Sequence, residues 1–169
     1  MKDIVNIREI NPSDTRAFTT LLKEVDESSA YMLWEPGERN LDEALHLKRI
    51  KEMNTIDQSI IFVAELQNEL IGYLLAIGGN AKRNRHSAYL VIGIKENYRG
   101  KGIGTQLLKN VEIWARNNQM TRLELTVVTK NEVALTLYKK HGFKIEGTKR
   151  NSLYISGHHY DEYYMGKLL

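Results

Sequence analysis

Val91-Ile92-Gly93-Ile94-Lys95-Glu96-Asn97-Tyr98-Arg99-Gly100-Lys101-Gly102-Ile103-Gly104-Thr105 is the stretch on which the reading of the fold turns. It opens with β-branched, apolar residues, as a strand does. Three glycines then alternate with other residues, and a helical pattern follows, with Leu107, Leu108, Val111 and Ala115 on one face. Glycine lets consecutive backbone N–H groups point into one concavity and lets a bulky anion come close to the chain. The positive end of the helix dipole and the charges of Arg99 and Lys101 would add to the attraction. These are the parts of a pyrophosphate cradle, although a plain strand-to-helix turn would use the same residues. Two rival phosphate loops do not fit. A G-x-G-x-x-G fingerprint needs glycine where Thr105 stands, and no Gly-Lys-Ser/Thr ending is present.

Outward from this stretch the chain alternates between two periodicities. Asp3 to Ile10 reads as a strand. Asn11-Pro12-Ser13-Asp14 supplies turn and cap chemistry for a helix carrying Phe18, Leu21, Leu22 and Val25. Tyr31 to Arg39 is an aromatic-rich loop, and a second helix is expected from about Asn40, with Asp42 and Glu43 in its first turn. Ser59 to Glu65 and Leu70 to Ile77 read as a hairpin, Gly78 to Arg85 as a mobile-looking loop, and Ser87 to Lys95 as the fourth strand. A helix over Gly104 to Asn117, a strand over Arg122 to Thr129 and a helix over Glu132 to His141 follow. Strands over Phe143 to Arg150 and Glu162 to Leu168 close the chain. The order is β-α-α-β-β-β-α-β-α-β-β, an α/β chain with a mixed sheet in one domain, 1–169.

Composition narrows the function classes. With 169 residues, 42% apolar and 27% charged, the chain can bury a core, which excludes wholesale disorder. The longest nearly apolar run, Leu70 to Gly79, is too short to cross a bilayer, and the first residues lack the apolar segment of a secretory signal. A soluble cytoplasmic protein with no membrane partner is therefore expected. Without cysteine there is no disulfide, thiolate metal site or cysteine nucleophile. Charge is uneven: residues 1–80 hold 8 Lys and Arg against 14 Asp and Glu, and residues 81–169 hold 16 against 7. One reading is solvated helix faces; another is a basic half that meets an anion and an acidic half that meets a cation. The basic residues are scattered and carry no nucleic-acid motif, so no nucleic-acid partner is expected.

A second motif lies downstream, Asn131-Glu132-Val133-Ala134-Leu135-Thr136-Leu137-Tyr138-Lys139-Lys140-His141-Gly142-Phe143. It is similar to the N-x-x-A-x-x-L-Y-x-x-x-G-F signature of the GNAT superfamily, the acetyl-CoA-dependent N-acetyltransferases. Arg99 to Gly104 resembles that family's Q/R-x-x-G-x-G/A motif. One helix and one strand separate the two, as the family requires. The resemblance implies a mixed sheet whose fourth and fifth strands splay apart to admit acetyl-CoA. It implies that Ile92, Gly93 and Ile94 pair with the pantetheine arm. Arg99, Gly100, Lys101, Gly102, Ile103, Gly104 and Thr105 would hold the pyrophosphate, Asn131 would sit at the mouth, and Tyr138 would lie near the thioester sulfur. Residues 1–80 would form the acceptor side and 81–169 the cofactor side.

The implied reaction is acetyl transfer to a primary amine by direct attack in a ternary complex, with Tyr138, of ordinary pKa about 10, protonating the departing thiolate. The base is open. The fourth strand, Ala88 to Ile92, holds no acid. Glu124 on the fifth strand is one candidate, though alternation puts it on a face with Arg122 and Thr126 where a surface carboxylate is equally expected. Glu35 is another; it and Glu38 would serve as base or bind a cationic acceptor, and His86 is a further proton carrier to weigh. His158-His159 with Asp161 makes a poor metal site because strand neighbours face opposite ways. Trp34 and Tyr31 suit an acceptor pocket or a hydrophobic lid. The expected acceptor is a small-molecule amine, favoured as cationic by the acidic N-terminal half, or a peptide N-terminus, and an exposed final strand would permit a homodimer. A non-catalytic acyl-CoA-binding or sensing module on the same fold is the alternative.

Overall fold

The computed structural model describes residues 4–56 and 58–169. The elements are β1 (Asn6–Glu9), α1 (Thr15–Ser28), α2 (Glu43–Asn54), β2 (Ile60–Leu66), β3 (Glu69–Gly78), β4 (Ser87–Ile94), α3 (Ile103–Asn117), β5 (Arg122–Val128), α4 (Glu132–Lys140), β6 (Lys144–Ile155) and β7 (His158–Leu168). Their order is the one expected, and they form a single mixed seven-stranded sheet in the order β1-β2-β3-β4-β5-β7-β6. Every neighbouring pair is antiparallel except β4 and β5. The first strand is shorter than its expected span, and Asp3 lies outside the described residues.

The central strands explain the near-continuous apolar run of Leu70 to Ile77. β2 and β3 are covered on both faces, so they lack the alternation of a half-exposed strand. One core joins α3 to Ile71, Leu74, Leu90, Leu123 and Leu125. The other joins α1 and α2 to Ile61, Val63, Leu70 and Tyr73. Among the described residues no helix is long and apolar enough to cross a membrane.

Three expectations change. α2 starts at Glu43, because Asp42 is its N-cap: the carboxylate accepts from the Ala44 and Leu45 amides at 2.8 and 3.2 Å. β6 and β7 run past Arg150 and begin before Glu162, joined at Ser156-Gly157, where φ is +50° and +84°, the signs a two-residue hairpin turn needs. The segment from Gly78 to Arg85 is a set of bonded turns: the Asn84 side-chain oxygen accepts from the Ala81 amide at 3.0 Å, and the Asn84 amide donates to the Ala81 carbonyl at 3.1 Å.

Candidate active site

β4 and β5 pair only from Ser87↔Arg122 to Tyr89↔Glu124. Beyond that point β4 stays with β3 as far as Ile94, while β5 stays with β7 as far as Val128↔Glu162. A fork therefore opens between Leu90–Ile94 and Leu125–Val128, with two strand edges facing one another unpaired. This is the splay that the resemblance implied. A cleft of about 550 Å³ occupies its mouth, walled by α1, α2, the loop between them, and the inner surfaces of β4, β5 and the β6–β7 hairpin.

At the far end of β4 lies the glycine loop. Gly100 and Gly102 have φ of +72° and +81°, and a Cβ at either would meet nothing within 4 Å, so conformation and not internal crowding demands glycine there. Gly102 is the N-cap of α3, and its carbonyl accepts the first helical bond, from Gln106. The amides of Gly100, Lys101, Gly102, Ile103, Gly104 and Thr105 donate to no acceptor among the described residues. Unpaired donors at a helix N-terminus are, by general electrostatics, suited to an anion. Gly104 has a different reason: its Cβ would come 2.8 Å from Leu137, so it lets α3 pack on α4.

Arg99 departs from expectation. Its amide donates to the Glu96 carbonyl at 3.2 Å. The guanidinium reaches back to the Ile94 carbonyl at 3.1 Å and the Ser28 hydroxyl at 3.1 Å, at the C-terminus of α1. It struts the loop against α1, and among residues 99–105 its amide is the one already bonded, leaving the amides of 100–105 free. Lys101 keeps its ammonium 5.2 Å from the Tyr98 ring centre. Gly93 is glycine because the Tyr73 ring takes the place of its Cβ, which would sit 2.4 Å from Tyr73 Cε1; Ile92 and Ile94 flank it on the unpaired part of β4.

Asn131 caps α4, its side-chain oxygen accepting from the Ala134 amide at 3.3 Å, and it lines the cleft. Tyr138, one face of α4 further on, also lines it, with its ring edge-on to Phe143 at 5.9 Å between centres. Burial, with Tyr89 nearby, pushes the Tyr138 phenol up to about 12, above the ordinary value of 10 expected from sequence. It is protonated throughout the physiological range. Tyr89 faces Tyr138 from β4, and its hydroxyl lies 2.7 Å from Thr126 Oγ1 across the vertex of the fork.

The candidate acids stand elsewhere. Glu124 does not line the cleft; its Oε2 accepts from Arg122 Nε at 2.7 Å, and Arg122 also grips Glu146. Glu35 is exposed, off the cleft wall, with its amide on the Glu38 carboxylate at 3.0 Å. His86 is exposed just outside β4. His158 and His159 follow one another on β7, and among the described residues no group of three or more His, Asp or Glu is placed to hold a metal ion.

Trp34 and Tyr31 both line the cleft, and Tyr31 packs edge-on against Tyr160 of β7 at 6.0 Å, so the loop spans the opening. A buried pair secures the loop. Arg39 donates to both Asp26 oxygens, at 2.6 and 2.9 Å, and its guanidinium lies 5.8 Å from the Trp34 ring centre. The same charge faces Tyr73, whose phenol burial raises to about 12.

Sequence reasoning missed Tyr89, Thr126, Arg49 and Lys149, all of which line the cleft. Alternation along β4 could have put Tyr89 opposite the buried Ala88 and Leu90. Arg49 and Lys149 carry no such signal, because tertiary packing alone brings them to the wall.

The comparisons agree with this geometry. The pattern of the Acetyltransferase (GNAT) family matches residues 22–143. L-amino acid N-acetyltransferase AaaT of Escherichia coli is 30% identical over 107 residues, which span 63% of this chain and 66% of that protein. An acetyltransferase of the GNAT family from Streptococcus pneumoniae superposes with a TM-score of 0.95 at 32% identity, covering 98% of this chain and 100% of that one. A phosphinothricin acetyltransferase from Sinorhizobium meliloti, solved in complex with AcCoA, shares the fold at a TM-score of 0.85 and 20% identity, covering 98% and 88% of the two chains.

Proposed function

Because the chain belongs to the Acetyltransferase (GNAT) family, we propose that it moves the acetyl group of acetyl-CoA onto the primary amine of a small acceptor that also carries a negative charge. The observation that carries the reading is the fork of β4 and β5 leading to six unengaged amides at the N-terminus of α3. Those amides, from Gly100 to Thr105, would hold the pyrophosphate. The unpaired edge around Ile92, Gly93 and Ile94 would pair with the pantetheine amides, and Asn131 would stand at the entrance. When bound, acetyl-CoA supplies the activated acyl carbon.

With no cysteine in the chain, the amine nitrogen attacks that carbon directly. An N–H of the β4 edge meets the negative charge growing on the thioester oxygen. Tyr138 holds the proton that the sulfur needs as the C–S bond breaks. A phenol at about 12 against a thiol near 8.5 makes completed transfer uphill by roughly three units, so its contribution is a hydrogen bond that strengthens as thiolate charge develops.

The acceptor reading rests on the wall opposite. The side chains of Arg49 and Lys149 line the cleft and, among the described residues, make no ion pair or hydrogen bond. The acid on that wall, Glu162, accepts from the Ser152 hydroxyl. The acidic balance of residues 1–80 suggested a cationic acceptor, but Glu35 and Glu38 lie off the wall; Glu162 keeps its charge opposite Lys149 on the β6–β7 ladder, and with Arg49 the three leave a net charge of +1 on it. The amino acids named for AaaT carry such an anionic group, a carboxylate.

The test is coenzyme A thiol release against amines with and without an anionic group, polyamines and a peptide N-terminus included. Amines bearing a carboxylate or a phosphate-like group should be fastest, and Arg49→Ala should raise their KM about tenfold, the loss of one charge-assisted contact. Preference for polyamines would overturn the acceptor class. Failure of every amine to speed release would overturn the reaction.

A further inference from the structure

We propose that the hydroxyl pair Thr126–Tyr89 is the path by which the acceptor's ammonium loses its proton, out of the cleft and into a second cavity behind the fork. The inference rests on the acetyl-transfer reading and deepens it, since an ammonium has no lone pair and must be deprotonated before it can attack.

The groups on the cleft wall that could serve as a base are occupied or distant. His46 has Nε2 on the Asn40 carbonyl at 2.9 Å and Nδ1 against Thr19 Oγ1 at 3.2 Å. Glu162, which accepts from Ser152 through one oxygen, is set apart by position: it sits on β7 beside Val128, with β5 between it and β4, two residues beyond Thr126. At the vertex of the fork, where the acyl carbon would sit beside Tyr138, the Thr126 and Tyr89 hydroxyls lie 2.7 Å apart.

Tyr89 is placed to pass a proton on. It lines the cleft and also a second cavity of about 410 Å³, bordered by Arg122, Glu124, Glu146 and Tyr164. The Glu124 and Glu146 side chains are 41% and 42% exposed, so that cavity meets solvent. The charged and titratable groups around Tyr89 are thus Tyr138 from α4, Arg122 and Glu124 from β5, Glu146 from β6 and Tyr164 from β7. The two carboxylates against one guanidinium leave this cavity net negative, which favours an arriving proton.

One ammonium N–H bond breaks and its proton bonds to Thr126 Oγ1. The proton already on Thr126 moves to the Tyr89 oxygen, and the proton of Tyr89 passes to water in the second cavity. The electron pair left on nitrogen is the nucleophile, and both hydroxyls return to their starting form. Glu124 acts only at a distance here, through the charge of its cavity.

Thr126→Val and Tyr89→Phe each delete one hydroxyl with little change of shape. Each should lower kcat/KM about tenfold at pH 7 for a strongly basic amine, with acetyl-CoA affinity unchanged. The deficit should shrink to within about twofold with an O-alkylhydroxylamine, whose nitrogen is already neutral at pH 7, and with the basic amine near pH 10. The double variant should be no worse than either single one, because a broken relay cannot be broken twice. An equal deficit for both kinds of nitrogen would mark the pair as structural and overturn the relay. So would wild-type rates in both variants, or a pH-dependent deficit found only in Glu162→Gln. A wild-type protein that acetylates no amine would remove the transfer reading and the relay with it.

Discussion

Tyr138→Phe is expected to lower turnover at saturating substrates by about 100-fold, the low end for loss of a positioned proton donor. The low end follows from the environment. A phenol raised to about 12 would donate a hydrogen bond to the leaving sulfur without a completed proton transfer. The substitution removes one oxygen and keeps the edge-on contact with Phe143, so acetyl-CoA affinity should stay within about twofold. The deficit should be equally large for a basic amine and for an O-alkylhydroxylamine, because it concerns the departing group. That pattern separates it from the expected behaviour of Tyr89→Phe. Single-turnover kinetics at several pH values would check it, and wild-type turnover would show that the departing sulfur does not depend on this hydrogen bond.

Asp26→Ala should be the most destabilising of the simple truncations near the cleft. The Asp26 side chain is 3% exposed and that of Arg39 20%, and two short bonds join them. Removing the carboxylate strands a largely buried guanidinium, a loss of about 3 kcal/mol at the lower end for such pairs. In a domain of this size that is roughly 6–12 °C in Tm by calorimetry. A shift below about 2 °C would show that the pair contributes little. The loop held by Arg39 carries Trp34 over the cleft, so the variant should also raise the acceptor KM more than that of acetyl-CoA.

The parts of this molecule that were legible in the sequence are those whose physics is local. Gly100, Gly102 and the helix start after them announced a donor-rich loop, because positive φ and helix termini leave their mark on residue choice. The order of elements was equally plain in the apolar spacing. What failed depended on neighbours distant in sequence. Nothing near Arg99 reveals that its side chain reaches Ser28, 71 residues away. Alternation already set Glu124 beside Arg122, but nothing near it reveals that Arg122 also binds Glu146 from β6 and keeps the group behind the fork. The ends of β6 and β7 were hidden by polar residues, Asn151, Ser152, His158 and His159, that give no apolar alternation. Total charge does not say which side chains reach a wall: residues 1–80 are acidic, yet Glu35 and Glu38 stand off the cleft.

The pyrophosphate cradle is tested most directly by following backbone amide resonances of the isotopically labelled protein as coenzyme A is added. Saturation should move the Gly100, Gly102 and Gly104 amides, in the uncrowded glycine region of the spectrum, further than any others, together with Lys101, Ile103 and Thr105, while Arg99, already bonded to Glu96, moves less. Coenzyme A that binds while these six amides hold their positions and another surface shifts would contradict the account.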